Sequence, residues 1–101
     1  MNNSETLPRQ LEPQISSPAV IKNRYGLHAR AAAKLVKAAE SFKADLTLAK
    51  DESMADVRSL LSLLSLGCSY NSQVTLTASG EDASAALSAL LDIINDGFGE
   101  E

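Results

Sequence analysis

His28 is the single histidine of the chain, and it stands immediately ahead of an alanine-rich run that carries Arg30, Lys34 and Lys37. A helix beginning at that point leaves its first N–H groups without intrahelical partners. An anion beside them is stabilised by hydrogen bonds and by the helix dipole. Arg30 adds a fixed positive charge whose fork of donors suits phosphate oxygens. Imidazole titrates near pH ~6.5, so its neutral, nucleophilic form is available around neutrality. The helix start and Arg30 both act against imidazolium before reaction, and both favour a phosphoryl dianion after it. A nucleophile beside an anion site is the pattern of a histidine that carries a phosphoryl group, with no cofactor and no metal required. A lone histidine is by type alone more often an ordinary helix-start residue; Gly26 before it and Arg30 after it shift the balance.

Other chemistries find little footing. The chain has no glycine-rich phosphate loop, no Cys/His cluster with metal-ligand spacing, and no second histidine to act as a relay. Its one cysteine, Cys68, follows Gly67 at an expected helix end and reads as an inert, partly buried side chain. Asp51 and Glu52 are adjacent in a polar stretch without a nucleophile beside them. The net charge of −4 argues against general nucleic-acid binding. That charge is unevenly spread: Lys22, Arg24, Arg30, Lys34 and Lys37 cluster around His28. Arg30, Lys34 and Lys37 follow i, i+4, i+7 spacing and share one helix face. Such a face steers an acidic partner surface toward the histidine. No apolar run approaches the ~20 residues that span a bilayer, and no basic-then-apolar leader is visible. The expectation is a cytoplasmic protein without membrane insertion.

The elements that must position His28 can be read in order. Residues 1–16, with Pro8 and Pro13 among asparagine, glutamine and serine, are polar and aperiodic, and are expected to form a flexible arm ahead of one domain over 17–101. Ala19 and Ile21 lie on one face of a short strand. The helix after His28 is expected to run to about Phe42, burying Leu35, Ala39 and Phe42. Ala44, Leu46 and Leu48 alternate with polar residues in a second strand, and 54–57 form a third. Ser59 to Leu66 reads as a short, strongly apolar helix stopped by Gly67, with Ser59 as its N-cap. Val74, Leu76 and Ala78 mark a fourth strand. Ala83, Leu87, Leu90, Leu91 and Ile94 stripe a last helix that stops near Gly97. The order β-α-β-β-α-β-α, with one polar face per strand, predicts an α+β, two-layer open-faced sandwich: a four-stranded antiparallel sheet covered on one side by three helices.

The segment Asn23-Arg24-Tyr25-Gly26-Leu27-His28-Ala29-Arg30-Ala31-Ala32 resembles the phosphorylation-site motif of the histidine-containing phosphocarrier (HPr) family of the bacterial phosphotransferase system. Arg58-Ser59-Leu60-Leu61-Ser62-Leu63-Leu64-Ser65-Leu66-Gly67 is similar to the family's second helix and its regulatory serine, and the likeness covers roughly residues 18–98. One departure is Ala31, where most members carry a proline that pre-sets the first helical turn. Alanine is the best helix former, so the helix is kept with a less rigid entry.

The resemblance implies a monomeric carrier that accepts a phosphoryl group on His28 from Enzyme I, with Arg30 holding the phosphate. It implies delivery to an EIIA-type domain in sugar uptake. It also implies docking of both partners beside His28 on Leu60, Leu61 and Leu64, and the expected docking surface takes in Ala29 and the basic-face residues Lys34 and Lys37 as well. Four leucines on a helix as short as 59–66 cannot all be hidden, which agrees with exposed docking positions there. In some members the serine matching Ser59 is phosphorylated by HPr kinase/phosphorylase; a phosphate there would place a dianion in the apolar patch while sparing the helix start. Two other readings share the fold. One is a nitrogen-branch carrier (NPr), whose endings the segment Asn95-Asp96-Gly97-Phe98-Gly99-Glu100-Glu101 is similar to. The other is a regulatory binding module acting through Ser59.

Overall fold

The computed structural model describes residues 14–100, and residues 1–13 of the arm expected over 1–16 lie outside them. In chain order the elements are β1 (Gln14–Val20), α1 (Ala29–Ala39), β2 (Asp45–Lys50), β3 (Ser53–Asp56), α2 (Leu60–Ser65), β4 (Gln73–Ser79) and α3 (Ala83–Asn95). A single 3₁₀ turn, Gly97–Gly99, follows α3. The strands form one sheet in the order β1-β4-β2-β3, with every neighbouring pair antiparallel. Alternation decides which face is covered. Along β2 and β4, Leu46, Leu48, Val74, Leu76 and Ala78 are buried, while Asp45, Gln73 and Thr75 point to solvent. In register, Leu48 sits between Leu76 of β4 and Ala55 of β3, so one apolar layer runs across the sheet.

Against that layer pack Ala32, Leu35 and Ala39 of α1, Leu63 of α2, and Ala86, Leu90 and Ile94 of α3, all fully enclosed. The open-faced α+β sandwich expected from the strand and helix patterns is the observed architecture. No helix among the described residues is long and apolar enough to cross a membrane.

Two boundaries differ from the sequence expectation by three residues or more. The first strand begins at Gln14, so Gln14–Ser16 belong to the sheet rather than to a polar arm, and pair with Thr77–Ser79. The half of β1 made of Gln14, Ser16, Ser17 and Pro18 carries no apolar alternation, because it is an edge strand held by backbone bonds and by the Ser16–Thr77 hydroxyl contact at 2.8 Å. Pro18 is tolerated at an edge, where a missing N–H breaks no inner ladder. Helix α1 stops at Ala39 instead of Phe42. The apolar spacing continues to Phe42 because Glu40, Ser41 and Phe42 donate i→i−3 bonds in a tightened last turn. The Arg58 guanidinium closes that end by donating to the carbonyls of Ala39, Phe42 and Ala44, satisfying groups that a helix terminus leaves open.

Candidate functional site

The loop between β1 and α1 is shaped by one glycine. Gly26 has φ +70°, and a Cβ there would lie 2.4 Å from the Cys68 carbonyl oxygen. That close approach lets Leu27 N–H donate to the same carbonyl at 2.8 Å, and His28 N–H donate back to Gly26 at 2.9 Å. The turn delivers His28 in an extended conformation (φ −82°, ψ 179°) as the N-cap of α1. Capping is usually done by the short oxygen-bearing side chains. Here the ring nitrogen Nδ1 of His28 accepts the hydrogen bond from Arg30 N–H, at 3.2 Å.

The opposite edge of the ring meets a carboxylate. Nε2 lies 2.6 Å from Glu100 Oε2. Because Nδ1 accepts a bond, Nε2 carries the proton and donates it to Glu100, which assigns the neutral Nε2–H tautomer. Glu100 Oε1 accepts a second bond from Asn23 Nδ2 at 3.0 Å, and the same amide donates to the Gly26 carbonyl at 2.6 Å. Asn23 is 1% exposed, and its Oδ1 has no partner among the described residues. The Asn23 amide, then His28, then Lys34, hold the Glu100 carboxyl below its usual range against the opposing effect of burial.

An open cleft of about 790 Å³ surrounds the ring, lined by Arg24, Tyr25, Arg30, Lys34 and Glu100. Tyr25 stands edge-on to His28 with centroids 6.5 Å apart, and the Arg24 guanidinium lies 5.6 Å from the tyrosine centroid. Ala29, Arg30, Lys34 and Lys37 are exposed on α1. The structure thus gathers His28, Arg30 and Lys34 around one cleft whose lining does not include Ala29, while Lys37 faces a neighbouring groove with Asp92 and Asp96. Lys34 has a further task, since its Nζ donates to the Phe98 carbonyl.

The second helix begins at Ser59, whose Oγ accepts from Ser62 N–H at 3.2 Å and donates to Ser62 Oγ at 2.9 Å. Of the four leucines expected there, Leu63 is fully buried, whereas Leu60 (40%), Leu61 (76%) and Leu64 (36%) stay exposed. Cys68 is buried, and burial pushes its thiol up. Among the described residues no group of three or more His, Cys, Asp or Glu side chains could hold a metal ion.

Sequence reasoning missed Glu100 as part of the site, and it carried Asn23 and Tyr25 only within the motif, with no role of their own. Asn23 and Glu100 are 77 residues apart and meet only through the fold. The one available signal was Phe98 flanked by Gly97 and Gly99, a buried anchor in a turn that needs unusual backbone angles.

Comparison with known proteins bears on the family and the fold. The family model described as "PTS HPr component phosphorylation site" matches residues 15–96. The chain belongs to the HPr family. Within that family it is 40% identical over 91 residues to the phosphocarrier protein NPr of Shewanella violacea, a match covering 90% of this chain and 96% of that one. It is 42% identical over 83 residues to the multiphosphoryl transfer protein of Vibrio cholerae, of which it spans 21%. Among solved structures, HPr-C-His from Thermoanaerobacter tengcongensis superposes with a TM-score of 0.82 at 39% identity, covering 86% of this chain and 98% of that chain. The family match and the phosphocarrier relatives support a phosphocarrier of the phosphotransferase system, and relatives named HPr, at 34% identity, and NPr, at 40%, both match this chain.

Proposed function

We propose that this protein accepts a phosphoryl group on His28 Nδ1 from Enzyme I and passes it to an EIIA-type domain. The observation that carries the reading is the placement of a neutral ring nitrogen at the start of α1, in an open cleft that also holds Arg30.

The chemistry follows from that placement. The Nδ1 lone pair attacks phosphorus on the donor, and a nitrogen–phosphorus bond forms. The bond from phosphorus to the donor breaks, its electron pair leaving with the donor group. Nδ1 then stops accepting from Arg30 N–H, and that N–H turns to a phosphoryl oxygen, with the helix start and the Arg30 guanidinium favouring the dianion. Delivery reverses each step. The ring itself holds the phosphoryl group, so the carrier works without a cofactor.

Docking is assigned to the exposed leucines of α2 and the basic face of α1. Leu60, Leu61 and Leu64 supply an apolar patch, and Lys34 and Lys37 supply steering charge. A monomer exchanging with cytoplasmic partners suits a patch this small. Sugar uptake is the branch we favour, and a nitrogen-branch role uses the same chemistry with a different acceptor. Phosphorylation of Ser59 by an HPr kinase/phosphorylase would remove its O–H bond to Ser62 and set a dianion beside the leucines.

The test is transfer of labelled phosphoryl from phosphoenolpyruvate through Enzyme I. Acid-labile label is expected on the native protein and none on His28→Ala. An unlabelled native protein, with Enzyme I shown to be charged, would overturn the reading.

A further inference from the structure

We propose that Glu100, held by Asn23 and by the left-handed turn Gly97–Gly99, is a positioning residue. It fixes the His28 ring in its Nε2–H form and neutralises the positive charge the ring gains as Nδ1 bonds phosphorus. This rests on the carrier reading for its second half, and on geometry alone for its first.

Consecutive residues Gly97, Phe98 and Gly99 have φ of 66°, 59° and 73°. Glycine adopts that region freely, whereas phenylalanine does so only when its surroundings compel it. Two contacts compel it here: the Phe98 ring is 1% exposed in the core, and its carbonyl accepts a bond from Lys34 Nζ. The turn reverses the backbone after α3 and carries Glu100 across the start of α1. There its two oxygens are used separately, one for Asn23 Nδ2 and one for His28 Nε2. Asn23 is buried and locked onto Gly26, so the carboxylate is seated on a rigid donor and cannot swing with the ring.

The alternative ring form fails at both ends. A proton on Nδ1 would face Arg30 N–H, and a lone pair on Nε2 would face the Glu100 carboxylate. The observed contacts therefore leave one nitrogen nucleophilic, and it is the one turned to the helix start. During transfer the ring gives an electron pair to phosphorus while Nε2 keeps its proton. The phosphorylated ring is cationic, and Glu100 lies 2.6 Å from the nitrogen that shares this charge. A carboxylate behind a histidine plays the same orienting and charge-balancing part in hydrolase triads.

The experiment compares native protein, Glu100→Ala and Glu100→Gln in two readouts. The first is the ring ¹⁵N spectrum of unphosphorylated protein at about pH 8, where imidazole is neutral. The second is the rate of phosphoryl acceptance from charged Enzyme I. Native protein should show one dominant Nε2–H form. Glu100→Ala should show a mixture, with acceptance slowed by about tenfold or more, less than the ~10⁴-fold cost of disabling the buried triad carboxylate. Glu100→Gln keeps one acceptor without charge and should fall between. Backbone amide spectra report whether the fold is unchanged. An unaltered ring form and an unaltered rate in Glu100→Ala would overturn the proposal. A Gln variant equal to native would overturn its charge-balancing half. Failure of native protein to accept phosphoryl contradicts the carrier reading instead, and the ring spectrum still decides whether Glu100 sets the tautomer.

Discussion

Helices α1 and α2 both begin with a side chain that caps them, and the two caps are built for opposite purposes. Ser59 closes onto Ser62 through both its hydroxyl roles, so its oxygen is engaged within the helix start it caps. His28 caps α1 with one nitrogen and is braced from behind through the other. Its cap bond is the one that a phosphoryl group would replace. A cap that is spent stabilises a helix; a cap held at arm's length by a second support can be exchanged for a ligand. The surroundings differ in the same sense, since α1 opens on Arg24, Arg30 and Lys34 and α2 presents Leu60, Leu61 and Leu64.

The largest way to separate the two regions is to remove the anchor that serves only one. Phe98→Ala should cost about 3–5 kcal/mol, the usual range for a buried aromatic, and should release Glu100 from His28 while leaving the Ser59 cap in place. Denaturant melts give the first, and the ring ¹⁵N spectrum with the Ser62 amide shift gives the second. A titration separates them more gently. The Glu100 carboxyl is depressed in the folded protein, chiefly by the Asn23 amide. Its contribution is therefore complete above the ordinary glutamate value of about 4.3 and is lost as pH falls through the lower folded value. Asn23 side-chain amide signals should move over that acid interval. The hydroxyl-to-amide cap at Ser59 has no titrating group and should not follow them.

Smaller effects lie on α2. Ser59→Ala should cost about 1 kcal/mol of stability through loss of the cap, with phosphoryl acceptance on His28 retained. Leu61→Ala, at a position 76% exposed, should change stability by no more than about 0.5 kcal/mol. It should nonetheless weaken binding to Enzyme I, measured by titration calorimetry. Unchanged binding would remove α2 from the docking surface.

Much of the fold was legible because helix and strand patterns were locally complete. Leu46 and Leu48 alternate with polar neighbours, Leu35 and Ala39 recur at helical spacing, and Gly67 stops α2. The start of β1 was not legible, since an edge strand of Gln14, Ser16 and Ser17 is held by backbone pairing that leaves no side-chain signature. At the site, His28 and Arg30 were legible because a helix start needs only local sequence. The division of the α2 leucines into exposed Leu60, Leu61 and Leu64 and buried Leu63 came from the family resemblance, since the run is apolar almost all round and its own pattern does not separate them. Glu100 was illegible because it reaches His28 across 72 residues through three left-handed backbone angles, and periodicity carries no record of such a turn.

The central claim concerns which of the two caps takes the phosphoryl group, and one labelling experiment addresses it. Native protein, His28→Ala and Ser59→Ala are incubated with phosphoenolpyruvate and Enzyme I, and the label is followed through acid treatment. Acid-labile label on the native and Ser59→Ala proteins, with none on His28→Ala, is the expected result. Label that survives on His28→Ala, or none on the native protein, would contradict the account.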